Sequence, residues 1–481
     1  MPRIGYFVVL ACVAAFALPT AGSAHHNADA HYAMRIDWSY PQAETRTHSD
    51  IAMWGNIVVS GNYHGFRIFD ISRPLNERLR VTYLCRGPQN DVSLWQHNGR
   101  MLLFMSIDTP QLNGNTVCGT SNATDTSVTN PDGWEGIRIF DITDPTAPVY
   151  LKFVRTNCGS HTHTLIPDLG NNRLLIYATT ASSSGGPWCQ IPHNRIPIVA
   201  VPLDAPENAS VIAEPRLIAT LRGCHDITVF LPAHLAAAAC ESEGQFWDIT
   251  DPANPDTANP LARIDDARVN YWHSSEFTWD GQYVVFDDET FTSDGCNPAT
   301  TTGRIWFYRV SDRQQLANFK TRQQPAANYC GSHNGNIVPV VGKYLLAMSW
   351  YGGGTSVIDF TNPAQPTEVG YYTAIEGRGA ADTWSSYWYN GSIYANDITR
   401  GLDVFNVILP WAPYGATFDH LNAQTQEMSL PPPFSSMTPV ARLSLQRVLQ
   451  KARPGGRLRP ARVAVKRATA RAPGSLSPAR G

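Results

Sequence analysis

Short runs of alternating apolar and polar residues follow one another along the chain from about residue 30 to residue 410. One such run, Gly136–Ile139, leads directly into Phe140–Pro145, which reads Phe-Asp-Ile-Thr-Asp-Pro. Alternation over a few residues is typical of β-strands, and Asp and Pro mark the turns between them. No part of this region shows a long helical period. The pattern predicts an all-β protein.

The same phrase returns along the chain. Strong copies occupy Phe69–Pro74, Phe140–Pro145, Trp247–Pro252 and Ile358–Pro363, and weaker copies occur around Leu203, Val310 and Phe405. The copies lie roughly 45 to 70 residues apart, a period that favours a solenoid, a propeller or an array of similar units.

A second phrase lies upstream in each unit, where two β-rich runs flank a tight turn. Residues 48–60 and 273–286 are examples, with Trp-Gly-Asn and Asp-Gly-Gln as the turns. These are hairpin signals. Each unit is therefore predicted to have four antiparallel strands, the blade of a β-propeller. We predict a seven-bladed propeller over residues 25–409, in which the N-terminal strand Met34–Tyr40 completes the last blade.

The N-terminal 24 residues have the pattern of a secretory signal peptide. Arg3 precedes an apolar run from Tyr6 to Leu18, and a stretch of small residues ends at Ala24. The apolar run is shorter than the roughly 20 residues that a membrane-spanning helix needs. We therefore predict a secreted, extracellular protein without a transmembrane segment.

Charge divides the chain into two parts. The net charge is −3, yet residues 442–480 carry eleven Lys or Arg and no acid, which leaves 26 of the 37 basic residues against 40 acidic residues elsewhere. The acidic propeller is not expected to bind nucleic acid. Residues 410–481 are rich in Pro at first and then basic, which favours a disordered tail that contacts anionic surfaces.

The cysteines agree with export. Cys12 lies within the predicted signal peptide, and eight cysteines follow it. An even number in an exported chain predicts four disulfides. Four precede a predicted first strand and four follow a second strand, so we predict sequential pairs: Cys85–Cys118, Cys158–Cys189, Cys224–Cys240 and Cys296–Cys330.

The repeated Ile/Val-Phe-Asp-Ile-Thr-Asp-Pro phrase resembles that of the LVIVD-repeat proteins, which are secreted bacterial β-propellers. The resemblance covers about Ala30 to Val407 and weakens at the copies near Leu203, Val310 and Phe405. It implies the fold more than any particular function.

Histidines recur at one position of the repeat. His48, His161, His225, His273 and His333 each stand at or just before a predicted first strand, and His163 adds a second imidazole in the third repeat. The first strand of a propeller blade is innermost, so residues at its start converge on one mouth of the central channel. Neutral imidazoles clustered in this way suit copper, zinc or iron.

Carboxylates are expected at the same mouth, because the second strand runs antiparallel to the first and ends there. The candidates for ligands or for orienting the imidazoles are Glu276, Asp287 and Glu289, with further acids at Asp108, Glu241, Glu243, Asp288 and Asp397.

Three interpretations of these residues remain open. The histidines are structural links between blades, or they bind a metal, or they act as acids and bases without a metal. Accordingly, the chain is either a monomeric binding propeller for a small molecule or an extracellular partner, or a metal-dependent enzyme. For the enzyme a redox reaction is favoured, because the selenium-binding (methanethiol oxidase) propellers also carry histidine motifs. No serine-hydrolase, phosphate-loop or zinc-protease motif is present.

Overall fold

The protein is all-β, as the sequence predicts. The computed structural model describes residues 30–40, 47–73, 76–85, 87–111, 134–180, 194–221, 223–290, 296–323, 330–374 and 381–431. The helices in these ranges are short 3-10 turns at Leu169–Asn171, Pro206–Asn208, Leu231–Ala233 and Ala412–Tyr414. Residues 1–24 and 432–481 lie outside the described ranges, and so do the predictions made for them.

The strands are short and follow one another closely. In chain order they are β1 (Ala30–Tyr32), β2 (Met34–Ser39), β3 (His48–Trp54), β4 (Ile57–Asn62), β5 (Gly65–Asp70), β6 (Arg78–Leu84), β7 (Gln89–His97), β8 (Arg100–Gln111), β9 (Trp134–Asp141), β10 (Val149–Arg155), β11 (His163–Asp168), β12 (Arg173–Ala178), β13 (Ile198–Pro202), β14 (Ser210–Ala213), β15 (Ile227–Phe230), β16 (Leu235–Ala239), β17 (Gly244–Asp248), β18 (Ala262–Ile264), β19 (Trp272–Phe277), β20 (Tyr283–Asp288), β21 (Ile305–Arg309), β22 (Gln315–Phe319), β23 (Gly331–Val338), β24 (Leu345–Tyr351), β25 (Gly354–Asp359), β26 (Thr367–Thr373), β27 (Thr383–Tyr389), β28 (Ser392–Asp397), β29 (Gly401–Val407), β30 (His420–Leu421) and β31 (Thr425–Gln426).

Most of these strands form antiparallel meanders of four, in the orders β3-β4-β5-β6, β7-β8-β9-β10, β11-β12-β13-β14, β15-β16-β17-β18, β19-β20-β21-β22 and β23-β24-β25-β26. The last meander, β27-β28-β29, is completed by β2, which pairs with β29 from Met34↔Val407 to Ser39↔Asp403, and a short parallel pair between β23 and β27 joins it to the preceding meander. The predicted N-terminal closing strand is thereby confirmed. Sheets of this kind are the blades of β-propellers.

The repeated phrase has a local physical basis. In each strong copy the Asp carboxylate accepts a hydrogen bond from the backbone N–H two residues later, at 2.8–2.9 Å in all four. This is an Asx turn, which redirects the chain after the third strand. The apolar residue between the two partners is buried in each copy: Ile71, Ile142, Ile249 and Phe360. The phrase therefore combines a turn with a core contact.

The first strands of the sheets, β3, β7, β11, β15, β19, β23 and β27, contact one another in sequence. Thr164 on β11 donates to the carbonyl of Ile227, and Thr228 on β15 donates to that of Ser275. β23 and β27 pair in parallel. Asn396, next to β27, donates to the carbonyl of Ser49 on β3 at 2.9 Å. The first strands thus enclose an interior, which we call the channel.

Residues 415–430, which we call the crossing segment, follow the ends of the first strands that lie opposite the histidines. The backbone N–H of Ala416 donates to Pro339, just beyond β23, and β30 pairs with β3. Asn422 hydrogen-bonds to Leu94 on β7, and Gln426 to Phe277 on β19.

This segment corrects the predicted start of the tail. We predicted disorder from Pro410 onward, but Phe418 and Leu421 in the crossing segment are buried against the sheets, and so is Trp411 just before it. The ordered part of the chain therefore continues through the crossing segment, because its apolar side chains cover the far ends of the inner strands.

Two of the predicted disulfides are present, Cys224–Cys240 and Cys296–Cys330. Cys85 and Cys158 are also disulfide-bonded. Their predicted partners lie outside the described residues, so those two pairings stay predictions. The described part of the chain contains no helix with the length and hydrophobicity needed to cross a bilayer.

Candidate metal centre

Four of the predicted histidines meet at one end of the first strands. The ring centroids of His161 and His225 are 4.4 Å apart, those of His225 and His273 4.0 Å, and those of His273 and His333 4.2 Å. The rings come from neighbouring sheets, since His161 precedes β11, His225 precedes β15, His273 lies on β19 and His333 on β23. The repeated position thus brings together an arc of imidazoles.

The Nδ1 side of each ring faces an acceptor. His225 Nδ1 lies 3.2 Å from Asp226, and His273 Nδ1 lies 3.2 Å from Asp287. His161 Nδ1 lies 3.3 Å from Asp108. His333 Nδ1 donates to the backbone carbonyl of Trp384 at 2.5 Å. At His225, His273 and His333 these are hydrogen bonds that orient the ring and place the hydrogen of a neutral imidazole on Nδ1, which leaves Nε2 with its lone pair.

Three Nε2 atoms point at one carboxylate. Glu289, the residue after β20, lies 4.0 Å from His225 Nε2, 3.7 Å from His273 Nε2 and 3.6 Å from His333 Nε2. Two overlapping groups have ligand atoms that all lie within 4.8 Å of one another: His225, Asp226 and His273; and His273, Glu289 and His333. Imidazole nitrogens and a carboxylate at this spacing match the ligands of a first-row transition metal.

The protonation of the rings reflects their surroundings. Burial lowers the pKa of His225 and of His333 well below the usual value, and the neighbouring His273 lowers both further. Burial also opposes the charge on His273, but Asp287 and Glu289 outweigh it and raise its pKa to about 10. Two of the three converging imidazoles are therefore in the neutral, ligating form at neutral pH.

Aromatic side chains surround the imidazoles. Tyr351 and Trp384 lie 4.5 Å and 4.9 Å from the ring of His333, and Tyr271 lies 5.8 Å from that of His225. Tyr63 contacts Trp384 at 6.3 Å. The side chains of His161 and Glu289 remain 13 % and 20 % exposed, so solvent reaches the imidazoles at this mouth of the channel.

The other candidates take different positions. His163 is buried between two serines, with Nε2 at 2.7 Å from Ser93 and Nδ1 at 2.8 Å from Ser106. His48 contacts the guanidinium of Arg67 at 3.3 Å. Glu276 lies deeper in the channel, where it accepts a hydrogen bond from Ser274 at 3.3 Å. Both imidazole nitrogens of His163 contact protein groups, so this ring has a structural role, which is one of the three interpretations of the histidines.

Of the other acids expected at this mouth, some contact the imidazoles and others hydrogen-bond to the backbone or pair with an arginine. Asp287 orients His273, and Asp108 lies against His161. Asp288 instead accepts from the backbone N–H groups of Tyr271 and Thr290, and Asp397 from those of Thr399 and Arg400. Glu243 pairs with Arg263.

Two groups of residues around the imidazoles escaped the prediction. Asp226 follows His225 directly and Asp50 follows His48 by two positions, so an acid just after a repeated histidine is a signal that could have indicated Asp226. The aromatic residues come from loop and strand ends of several sheets: Tyr63, Tyr271, Tyr351 and Trp384. Their convergence depends on the ring of sheets, and no local pattern encodes it.

Comparisons with known proteins add the following findings. No protein-family model and no curated protein sequence matches the chain. Similar solved structures include the WD40 β-propeller domain of Doa1, with a TM-score of 0.49, 9 % identity and coverage of 78 % of this chain and 96 % of that chain. A chain of the mitotic checkpoint complex has a TM-score of 0.48, 8 % identity and coverage of 84 % and 99 %. A putative 6-phosphogluconolactonase from Bacteroides uniformis has a TM-score of 0.45, 10 % identity and coverage of 75 % and 95 %.

Proposed function

We propose that the chain is a secreted, seven-bladed β-propeller of the LVIVD-repeat type that binds a divalent transition metal at one mouth of its channel. The metal in turn holds a small-molecule ligand. The observation that carries the proposal is the convergence of the Nε2 atoms of His225, His273 and His333 on the carboxylate of Glu289, at 3.6–4.0 Å.

The blade number is supported by the order of contacts around the channel. The crossing segment hydrogen-bonds or pairs with residues on or next to β23, β27, β3, β7, β11, β15 and β19, in that order. A segment that passes seven first strands in cyclic order is what a closed ring of seven blades requires. The disulfides support an exported protein, because such bonds persist in oxidising compartments.

Metal binding is favoured over purely structural histidines by the contrast among the rings. Both nitrogens of His163 contact serine hydroxyls, so that ring is fully used by the protein. The buried Nε2 of His273 has no hydrogen-bond partner and faces Glu289 instead. A bound metal would occupy this nitrogen in place of the proton that Asp287 and Glu289 stabilise on the ring.

The proposal is tested by metal analysis and thermal shift of the purified protein. Wild-type protein should bind one equivalent of Zn²⁺ or Cu²⁺ and melt at a higher temperature when it is loaded. The double variant His225→Ala/His333→Ala should fold but bind metal at least about 100-fold more weakly, because it loses two of three imidazole ligands. His97→Ala is the matched control, since His97 pairs with Asp204 away from the centre.

Folded wild-type protein that binds none of Zn²⁺, Cu²⁺ or Fe²⁺ would refute the proposal. Equal metal binding by the double variant and the wild type would refute it as well. In either case the imidazoles would be links between blades.

A metal-dependent oxidoreductase is the second candidate, and the partial exposure of Glu289 and His161 favours it. Three imidazoles and one carboxylate would fill a tetrahedral site, so an exogenous ligand binds only if the metal takes a fifth ligand or if the partly exposed Glu289 stays off the metal. Azide added to the Cu²⁺-loaded protein should change its electron paramagnetic resonance spectrum if a position is open. An unchanged spectrum would indicate a closed site and exclude this candidate.

A further inference from the structure

The channel beneath the imidazoles is lined by carboxyl groups that the proposed metal centre does not use. Asp50 on β3, Asp91 on β7, Asp226 before β15 and Glu276 on β19 are each at most 5 % exposed. Asp50 and Asp91 lie close enough for their carboxyl groups to interact. Asp226 lies close enough to both Asp91 and Glu276 for their charges to interact. We call these four residues the acidic chamber.

Several oxygens of the acidic chamber are buried without a hydrogen-bond partner. They are Oδ1 of Asp91, Oδ2 of Asp226 and Oε2 of Glu276. On the neighbouring first strands the side-chain oxygens of Asn334 and Ser385 are also buried and unpartnered, and these two residues are in register. The carboxylate and amide oxygens among them lack a hydrogen-bond donor or a cation, whereas the hydroxyl of Ser385 can both donate and accept.

The carboxyl groups respond to this environment. Burial, followed by repulsion from Asp91, raises the pKa of Asp50 well above its usual value. Burial raises the pKa of Asp91 to about 7. Four carboxyl groups in a buried space repel one another unless protons or a cation neutralise them.

We propose that the acidic chamber holds a hard divalent cation, Ca²⁺ or Mg²⁺, separate from the transition metal at the imidazoles. Oxygen-only ligands suit these ions, whereas the imidazoles above suit softer metals. Within the described residues, each group of three close ligand atoms contains an imidazole. The ion is therefore held by one or two carboxylates directly and by the others through water, as these cations often are.

Asp226 connects the two sites. Its Oδ1 lies 3.2 Å from His225 Nδ1, while its Oδ2 is the buried oxygen without a partner. Oδ2 of Asp226 would bind the hard cation, while Oδ1 of the same carboxylate orients His225, a ligand of the transition metal.

The experiment uses the His225→Ala/His333→Ala protein after removal of metals with EDTA, so that the imidazole centre is disabled. Ca²⁺, Mg²⁺ and Tb³⁺ are titrated, with melting temperature and sensitised Tb³⁺ luminescence as readouts. Tyr387 interacts with Asp50, Asp91 and Asp226, so it is placed to sensitise a bound Tb³⁺. We expect saturable binding of one equivalent and a higher melting temperature.

Asp91→Asn or Glu276→Gln in this background should weaken binding about tenfold or more, because the charge of the ligands sets affinity for such cations. Asp312→Asn is the matched control, as Asp312 lies in an exposed turn where it contacts Arg309. If the double variant does not fold, the same titrations are made on Zn²⁺-saturated wild-type protein.

Absence of a thermal shift and of saturable luminescence would show that only water and protons fill the acidic chamber. Unchanged affinity in the carboxamide variants would place the cation elsewhere, and either result overturns the inference. Failure of Zn²⁺ or Cu²⁺ binding by the wild type would instead count against the imidazole centre alone.

Discussion

The crossing segment should contribute to the free energy of unfolding, and replacing Asn422 tests this most directly. Its Oδ1 accepts from the backbone N–H of Leu94 at 2.8 Å, and its Nδ2 donates to the carbonyl of the same residue at 2.9 Å. Asn422 is 3 % exposed and Leu94 fully buried. One side chain therefore satisfies both backbone groups of a buried residue on β7.

Replacing Asn422 by Ala leaves that N–H and that carbonyl without partners. Each unsatisfied buried group costs about 1–3 kcal/mol, and water entering the space left by the side chain recovers part of the loss. We expect the free energy of unfolding to fall by roughly 2–4 kcal/mol. Gln426→Ala should have a similar effect, because Gln426 makes the same pair of hydrogen bonds to Phe277.

Urea denaturation followed by intrinsic fluorescence measures the effect, with the slope against denaturant checked for constancy. Ser429→Ala is the control, since Ser429 is exposed in the same segment and should change stability by less than about 0.5 kcal/mol. Wild-type stability of both Asn422→Ala and Gln426→Ala would refute the role assigned to the segment.

Three further predictions concern the tail, acid stability and a disulfide. A chain that ends at Leu409 should melt at a lower temperature than one that ends at Pro431, because only the longer chain keeps the crossing segment; equal melting temperatures would contradict this. Burial lowers the pKa of His163 to about 3, so the unfolded chain alone takes up this proton as pH falls from about 6.5. Stability should then decline toward acid by up to about 1.4 kcal/mol per pH unit from this group, and His163→Gln should show a shallower decline in urea titrations; an unchanged slope would contradict the assignment. Replacing Cys224 and Cys240 together by Ser should lower the free energy of unfolding by roughly 3 kcal/mol and weaken Zn²⁺ binding, because the disulfide closes a short loop beside His225. Calorimetry measures the first effect and metal titration the second, and the absence of either effect would contradict this prediction.

The strand order could be predicted from the sequence because local chemistry encodes it. An Asp that accepts from the backbone two residues on, followed by a buried apolar residue, forms the same turn wherever it occurs, as at Asp141 and Asp248. The closing strand at Met34 could be predicted because the last unit lacked a fourth strand.

The crossing segment could not be predicted in this way. Its two strands are only two residues long, and they are too short to show any alternation. Its polar residues Asn422 and Gln426 resemble those of a solvated tail in sequence. Their partners are backbone groups of inner strands more than a hundred residues away, which only the closed ring of sheets brings within reach.

The candidate site shows how far repetition alone can predict a site. A repeated position determines that imidazoles converge, but the partner of each ring decides which nitrogen faces the channel. Asp287 holds Nδ1 of His273 and leaves Nε2 directed at Glu289, whereas Ser93 and Ser106 engage both nitrogens of His163. These partners lie on different strands and at different distances along the chain. Four of the six histidines converge at the channel mouth because of residues that differ between repeats. The shared phrase determines the sheets that carry these residues, but not which ring nitrogen faces the channel.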